Sequence, residues 1–300
     1  MRNVLVPALL LLMAVVVAAQ AQSSGPQFEV ASVKPNNMPR GPFQNGSCPG
    51  GIPEIEPRRF AATTTLYSLI SWAYGIDCYR SEVHNLITVG KADWVRKDLF
   101  SIDSVIPEGS TVYTLQQLRD AKAAGLQQMI ENLLTDRFNL QVHRESRLIP
   151  IYALTTGGRE YRLKRYEEGS CDPAPPNGQR STARVDRKPL CGGGGIELAA
   201  GGVGRRTVTA NGVTLDKFAH LLSLGLDRPV IDQTGITGLF DFRLVYTFIP
   251  ATGATAPTLD TGGTSSIFSA IQEQLGLKLQ SARGPVEVLV IDSVSKPSGN

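Results

Sequence analysis

Charged residues are scarce in this sequence. Only 19% of the 300 residues carry charge, and 30 Lys and Arg stand against 27 Asp and Glu, which leaves a net charge of +3. A balance so close to neutral excludes a disordered polyelectrolyte and a strongly basic nucleic-acid binder, so no nucleic-acid partner is predicted. Hydrophobic residues make up 42% of the chain, which is typical of a folded globular protein.

The motifs of common catalytic centres are also missing from the sequence. It contains no phosphate-cradling GxxxxGK, no metal-binding HExxH and no GxSxG turn. Residues 293–296 match the SxxK motif of penicillin-recognising enzymes, but they lie in a C-terminal tail, and we interpret the match as chance. Of the three histidines, His220 is interpreted as a helix-flank residue and His143 as part of a solvated or salt-bridged strand. No catalytic residue, metal ligand or cofactor is predicted.

One long apolar run is present, and it lies at the N-terminus. Met1 to Asn3 supply a positive charge, residues 4–18 are almost wholly apolar, and residues 19–21 (Ala-Gln-Ala) fit a cleavage site before Gln22. This is the pattern of a secretory signal peptide. The run is shorter than the roughly 20 residues that a membrane span needs. We therefore expect residues 1–21 to be removed and the rest, without a transmembrane segment, to be secreted or periplasmic.

Cysteine is rare, with four residues: Cys48, Cys78, Cys171 and Cys191. An even number in an exported chain predicts two disulfides. Three pairings exist, and we favour the pairs nearest in sequence, Cys48–Cys78 and Cys171–Cys191. The spacing of the cysteines and histidines does not fit a zinc site.

Two stretches of the chain share a pattern. Residues 59–70 and 208–219 each read as a short strand that runs into a threonine and then a helix, with Thr65 falling on Thr214. Thr64 or Thr65 and Thr214 are predicted N-caps. An apolar stripe at i, i+3, i+4 and i+7 follows in both helices, formed by Leu66, Leu69, Ile70 and Ala73 and by Leu215, Phe218, Ala219 and Leu222.

The likeness continues to the end of both stretches. Residues 99–102 and 239–242 alternate as strands, residues 129–140 and 268–279 read as a helix running into a strand, and each stretch ends in a predicted hairpin. The sequence thus predicts an α+β fold of two duplicated modules, each a small sheet with two helices on one face in the order strand, helix, strand, strand, helix, strand, strand. The predicted divisions are residues 22–156 for an N-terminal strand (28–34) plus the first module, 157–204 for a Gly/Pro-rich connector, 205–293 for the second module and 294–300 for a tail.

Two groups of residues are candidates for binding. Trp72, Tyr74 and Trp94 could form an aromatic platform, although packing beneath the loop closed by Cys48 and Cys78 is the favoured interpretation. Asp232 and Thr234 could hold a ligand, but capping of a turn through their own backbone amides is favoured.

Several strings together resemble a soil-associated family of exported bacterial proteins of unknown function that is abundant in acidobacterial genomes. They are FEVASVKPN (28–36), RRFAATTTLYSLISWAYG (58–75), LLTDRFNLQVHRESRLIPIYAL (133–154), RPVIDQTGITGLFDF (228–242) and LGLKLQSARGPVEVLVIDSVSKPSGN (275–300). Residues 87–94 and 101–103 depart from the family's usual pattern. Similar domains are attached to sensor-type membrane metallopeptidases, which implies a sensing or binding role outside the cytoplasm. The family has no assigned catalytic residues to carry over.

Each predicted module also has the layout of the short N-terminal domain of secretins and TonB-dependent receptors, which is an analogy of fold only. We expect an exported non-catalytic binding or sensing module, whose partner is an unidentified envelope or extracellular ligand or protein. An envelope or polysaccharide hydrolase with a site between the modules, and a structural envelope component, are the alternatives.

Overall fold

The described part of the chain folds into three four-stranded sheets with helices packed against them. The structure is a computed structural model. The predicted signal peptide, Cys48 and most of the Gly/Thr/Ala/Pro loop at 251–265 lie outside the described residues. Described are residues 25–37, 54–56, 58–78, 84–90, 92–113, 117–118, 121–158, 160–173, 188–198, 204–248 and 265–297.

The described chain combines several antiparallel or mixed sheets with a few helices, which confirms the predicted α+β class. The strands are β1 (Val30–Asn36), β2 (Glu54–Glu56), β3 (Arg59–Thr65), β4 (Ile87–Thr88), β5 (Leu99–Val105), β6 (Gln141–Thr155), β7 (Lys164–Arg165), β8 (Gly194–Leu198), β9 (Gly204–Val213), β10 (Val230–Asp232), β11 (Phe240–Phe248) and β12 (Lys278–Ser293). The sheet orders are β1-β5-β3-β2 for the first sheet, β10-β6-β12-β4 for the central sheet and β7-β11-β9-β8 for the third sheet.

Two helices begin at the residues that the sequence predicts, those after Thr65 and Thr214, whereas the helix predicted from residue 129 begins at Ala124. The helices are α1 (Leu66–Ala73), α2 (Trp94–Lys97), α3 (Ala124–Phe138), α4 (Leu215–Ser223) and α5 (Ile267–Ala270), the last continued by a π-helical turn (Ile271–Leu275). The Oγ1 atoms of Thr65 and Thr214 accept hydrogen bonds from the amides of Ser68 and Lys217, at 3.1 and 3.2 Å. Both predicted N-caps are confirmed, and both predicted stripes are buried.

The ends of the two predicted modules differ from the expectation. In place of two hairpins, the chain forms two long strands, β6 and β12, which pair antiparallel with each other along nearly their whole length. The predicted hairpins are therefore wrong, because each long strand pairs with a strand from the other half of the chain. Pro150 is tolerated in β6 since the neighbouring parallel strand β10 begins only opposite Tyr152, so the missing amide falls on an open edge.

The long strands β6 and β12 extend from one hydrophobic core to the other. In the first core, α1, α3 and the first sheet pack together, and Leu289 and Ile291 from the far end of β12 join them. In the second core, α4, α5 and the third sheet receive Tyr152 and Leu154 from the far end of β6. Each core is therefore completed by apolar residues from the opposite half of the sequence, where burial of each large side chain stabilises the fold by about 1.5–3 kcal/mol.

The two halves have the same order of main elements, with β3, α1, β4, β5, α3 and β6 followed by β9, α4, β10, β11, α5 and β12. The short strands β4 and β10 each pair in parallel with the long strand of the other half. The duplication of a module stays a prediction. Residues 157–204, predicted as a connector, contribute the strands β7 and β8 to the third sheet.

The cysteine pairing agrees with the favoured interpretation as far as the structure describes it. Cys171 and Cys191 form a disulfide with a Cα–Cα distance of 5.1 Å. Cys78 is also disulfide-bonded, and its predicted partner Cys48 lies outside the described residues. Among those residues, no helix is long and apolar enough to cross a membrane.

Candidate binding pocket

A pocket of about 420 Å³ lies where β1, near the start of the described residues, meets the segment after β12, near their end. Three segments that are distant in sequence form it: the end of β1, the junction of α2 with β5, and the segment after β12. Its lining residues are Pro35, Asn36, Asn37, Lys97, Asp98, Leu99, Phe100, Lys296 and Pro297. Pockets of this size accept small molecules.

The C-terminal segment is held in place by the end of α3. Asn139 adopts the left-handed conformation that ends this helix, with φ of 47°. Its Nδ2 donates to Ser295 Oγ at 2.9 Å, and the Ser295 amide donates to the Phe138 carbonyl at 2.7 Å. These bonds fix the backbone next to Lys296, so the position of that side chain follows from the way α3 ends.

The other wall comes from the pairing of β1 with β5. Asn36 is opposite Leu99 in the register, and its Nδ2 donates to Ser101 Oγ at 2.8 Å. Pro35 precedes it at the end of the strand, and its ring restricts the backbone. The register of β1 against β5 thus places Pro35 and Asn36 at the pocket.

Two lysines and one carboxylate supply the charge of the pocket. Lys296 Nζ lies 2.7 Å from Asp98 Oδ2, and Lys97 Nζ lies 3.2 Å from Asp93 Oδ2. The side chains of Lys296 and Asp98 are 60% and 40% exposed. Ion pairs this exposed contribute at most about 1 kcal/mol and are screened by salt. Both ammonium groups can therefore exchange their partners for a ligand.

Trp94, one of the aromatic candidates, supports the pocket from below. Its ring stacks on Phe138 at 6.5 Å between centroids and meets Phe100 edge-on at 6.1 Å. Lys296 Nζ lies 5.7 Å from the centre of the Trp94 ring. Trp94 thus packs against the first core, whereas Cys48, which closes the loop predicted to cover it, lies outside the described residues. Lys296 connects Trp94 to the pocket.

The other two aromatic candidates do not line this pocket. Trp72 Nε1 donates to the Leu118 carbonyl at 2.9 Å. Burial raises the pKa of Tyr74 to about 12, the charge of Glu131 adds to the rise, and Arg144 opposes it. Arg144 also donates to the Tyr74 carbonyl at 2.7 Å. A tyrosine with so high a pKa stays protonated at neutral pH and acts there as a hydrogen-bonding group, not as a base.

Asp232 and Thr234 lie at the turn after β10. Asp232 Oδ1 accepts from the amide of Thr234 at 2.9 Å and from its hydroxyl at 2.7 Å. Thr234 Oγ1 in turn accepts from the Ile236 amide at 3.1 Å. These bonds occupy both side chains in the turn, as the favoured interpretation expects, and the structure does not bring them to the pocket.

The histidines lie in different surroundings. His143 Nδ1 is 2.9 Å from Asp292 Oδ1, and its Nε2 is 3.8 Å from Glu145 Oε2. His220 Nε2 is 3.7 Å from Asp77 Oδ2, and His84 Nε2 is 3.1 Å from the Ser223 carbonyl oxygen. In the described ranges, no three His, Cys, Asp or Glu side chains are placed to hold a metal ion together.

The ion pair of His143 predicts a pH dependence of stability. The hydrogen bond to Asp292 raises the histidine's pKa above 6.5, and the charge of Glu145 adds to the rise. Its contribution is therefore complete below the unfolded pKa and is lost as the pH rises through the higher folded pKa. We expect the stability difference between the wild-type chain and His143→Gln to be larger near about pH 5 than near about pH 9.

Urea unfolding at both pH values, with an NMR titration of the His143 ring, measures this effect. In the control Asp292→Asn the histidine pKa should move back towards its ordinary value. A His143 pKa that Asp292→Asn leaves unchanged would contradict the assignment.

The pocket was not predicted from the sequence. Lys97, Asp98 and Lys296 lie in unremarkable surroundings in the sequence, and only the fold brings them together. One signal was present: residues 32–35 (Ser-Val-Lys-Pro) and 293–297 (Ser-Val-Ser-Lys-Pro) are similar, and both enter this region. In the SxxK match, Ser293 Oγ donates to the Asn139 carbonyl and Lys296 pairs with Asp98, so the two residues have separate partners.

Comparison with known proteins gives one match. A family model described as "Protein of unknown function (DUF3738)" matches residues 67–294. No curated protein and no solved structure matches the chain.

Proposed function

The chain belongs to this family of unknown function, whose model covers most of its length, and we propose that it is an exported, non-catalytic binding module that takes a small polar ligand into the pocket at the chain ends. The proposal rests chiefly on one observation. Polar side chains from three distant segments converge on a single pocket, and ordinary backbone bonds hold those segments in place.

Export is supported by two features. The N-terminal segment has the pattern of a signal peptide, and the Cys171–Cys191 disulfide is typical of proteins that fold in an oxidising compartment. Expression of the full chain in a bacterial host, followed by N-terminal sequencing of the exported product, tests this part. Cleavage before Gln22 is the expected result, and a product that still carries Met1 would contradict it.

The position of the pocket suggests how a partner protein could detect ligand binding. Its walls include the segment after β12, and β12 belongs to the central sheet and to the first core. A ligand that contacts Lys296 thus acts on a strand that joins both halves of the chain. This arrangement fits a sensing module better than an enzyme, since the lining residues include no serine, threonine, cysteine or histidine.

Binding is tested with the mature chain, residues 22–300, labelled for NMR. We test a panel of sugars, sugar acids and amino acids from bacterial envelopes. Some of these compounds should shift the amide resonances of Asn36, Asp98 and Lys296 more than the amide resonances of other residues. Lys296→Gln should weaken such a ligand, whereas Lys122→Gln removes the same charge from an exposed site outside the pocket lining and should not. Shifts that cluster elsewhere, or an equal loss in both variants, would contradict the pocket as the site.

A further inference from the structure

We infer that the pocket at the chain ends recognises an anionic group, a carboxylate or a phosphate carried on a single sugar unit, and that Asp98 occupies the place of this anion in the ligand-free protein. The inference rests on the proposed function and gives its ligand a chemical class. It follows from the charges of the pocket and from the partners that these charges have without a ligand.

The lysines of the pocket are both engaged by carboxylates of the chain itself. Lys296 holds Asp98 at 2.7 Å, and Lys97 holds Asp93 at 3.2 Å. The Asp98 carboxylate thus lies beside Lys296 where the acidic group of a ligand would lie. Asp93, which does not line the pocket, balances the charge of Lys97, so Lys296 is the cation that a ligand anion reaches by displacing Asp98.

The internal partners are weak competitors. All four side chains are at least 40% exposed, and exposed pairs gain little from their attraction. A ligand anion that replaces Asp98 at Lys296 gains a charge-assisted hydrogen bond, which is roughly twice as strong as a neutral one.

The remaining lining residues fit a sugar ring. The amide group of Asn37, which is exposed, supplies donors and an acceptor for hydroxyls. Pro35 and Pro297 add rigid apolar rings to the lining. A volume of about 420 Å³ accommodates one such ring with its acidic group and some water.

The test compares three probes on the mature chain by NMR and calorimetry: galacturonate, galactose 6-phosphate and neutral galactose. We expect at least one anionic probe to bind about tenfold more tightly than galactose, with a weaker difference at higher salt. The comparison of galacturonate with galactose 6-phosphate distinguishes a carboxylate from a phosphate as the preferred group.

Two variants separate the inference from simpler explanations. Lys296→Gln should weaken the anionic probe about tenfold, whereas Asp98→Asn should tighten it and leave galactose unchanged, because the internal competitor is gone. Asp98→Asn with unchanged or weaker anion binding would overturn the inference. Equal affinity for galactose and the anions would overturn it too but leave the proposed function standing, and a pocket that takes none of the probes nor any member of the wider panel would remove both.

Discussion

Replacing Gly276 with alanine is expected to destabilise the protein far more than the same replacement at Gly75. Both glycines have a φ of +69°, so both alanines would be strained by about 1–2 kcal/mol. The surroundings differ. A Cβ at Gly276 would lie 2.6 Å from the Glu160 carbonyl oxygen and 2.9 Å from the Tyr161 Cα, whereas at Gly75 its nearest neighbour is the flexible end of Gln127, at 3.8 Å.

The close neighbours of Gly276 are backbone atoms, which cannot turn aside as a side chain can. The segment at 160–162 is held there by the Arg162 amide, which donates to the Leu275 carbonyl at 2.8 Å. The overlap should therefore add about 1–3 kcal/mol to the strain. Urea unfolding of both variants measures the difference, and equal losses of stability would show that the segment at 160–162 does not pack against this turn.

Replacing Phe138 with alanine is expected to cost about 3–5 kcal/mol of unfolding free energy, as removal of a buried phenylalanine does. The side chain is fully buried in the first core. Its ring meets Phe100 edge-on at 5.2 Å and stacks with Trp94 at 6.5 Å.

The matched control is Phe268→Ala on α5. Phe268 is 40% exposed and contacts Tyr152 at 5.2 Å between ring centres, so the same truncation should cost about 1 kcal/mol. The Phe138 variant should also weaken ligand binding, because the Phe138 ring packs on Trp94, whose ring lies 5.7 Å from Lys296 Nζ. Comparable losses in both variants would contradict the assignment of Phe138 to the core.

Local features of this protein could be read from the sequence because they depend on neighbouring residues. Thr65 and Thr214 are caps since a threonine before an apolar stripe can accept an amide of the first helical turn. The same holds for the Asp232–Thr234 turn and for the stripe on α4. The Cys171–Cys191 pair was favoured because it closes a short stretch of the chain, and the structure contains it.

The predicted hairpins show the limit of inference from local sequence patterns. Residues 141–155 and 278–293 alternate like strands, but nothing in either segment says that its partner lies more than a hundred residues away. A hairpin within each segment, with a turn in its middle, would satisfy the backbone hydrogen bonds equally well. The chain instead pairs the two segments with each other, since this places Leu154 and Leu289 in opposite cores.

The binding pocket is still less accessible to sequence reasoning. Asn36, Asp98 and Lys296 are spread over almost the whole chain, and each has an ordinary structural role where it stands. They meet because β12 returns to the first core and α3 ends beside it. Hydrogen bonds that join Ser295 to Asn139 and Phe138 hold the segment after β12 in place.

By itself, the sequence determined the α+β class, the starts of α1 and α4 and the Cys171–Cys191 disulfide, because these depend on local chemistry and periodicity. Only the tertiary structure decided that β6 and β12 pair with each other and complete the core of the opposite half. The same is true of the pocket at the chain ends. Both depend on contacts between distant segments, whose free energy comes from burial that no local pattern specifies.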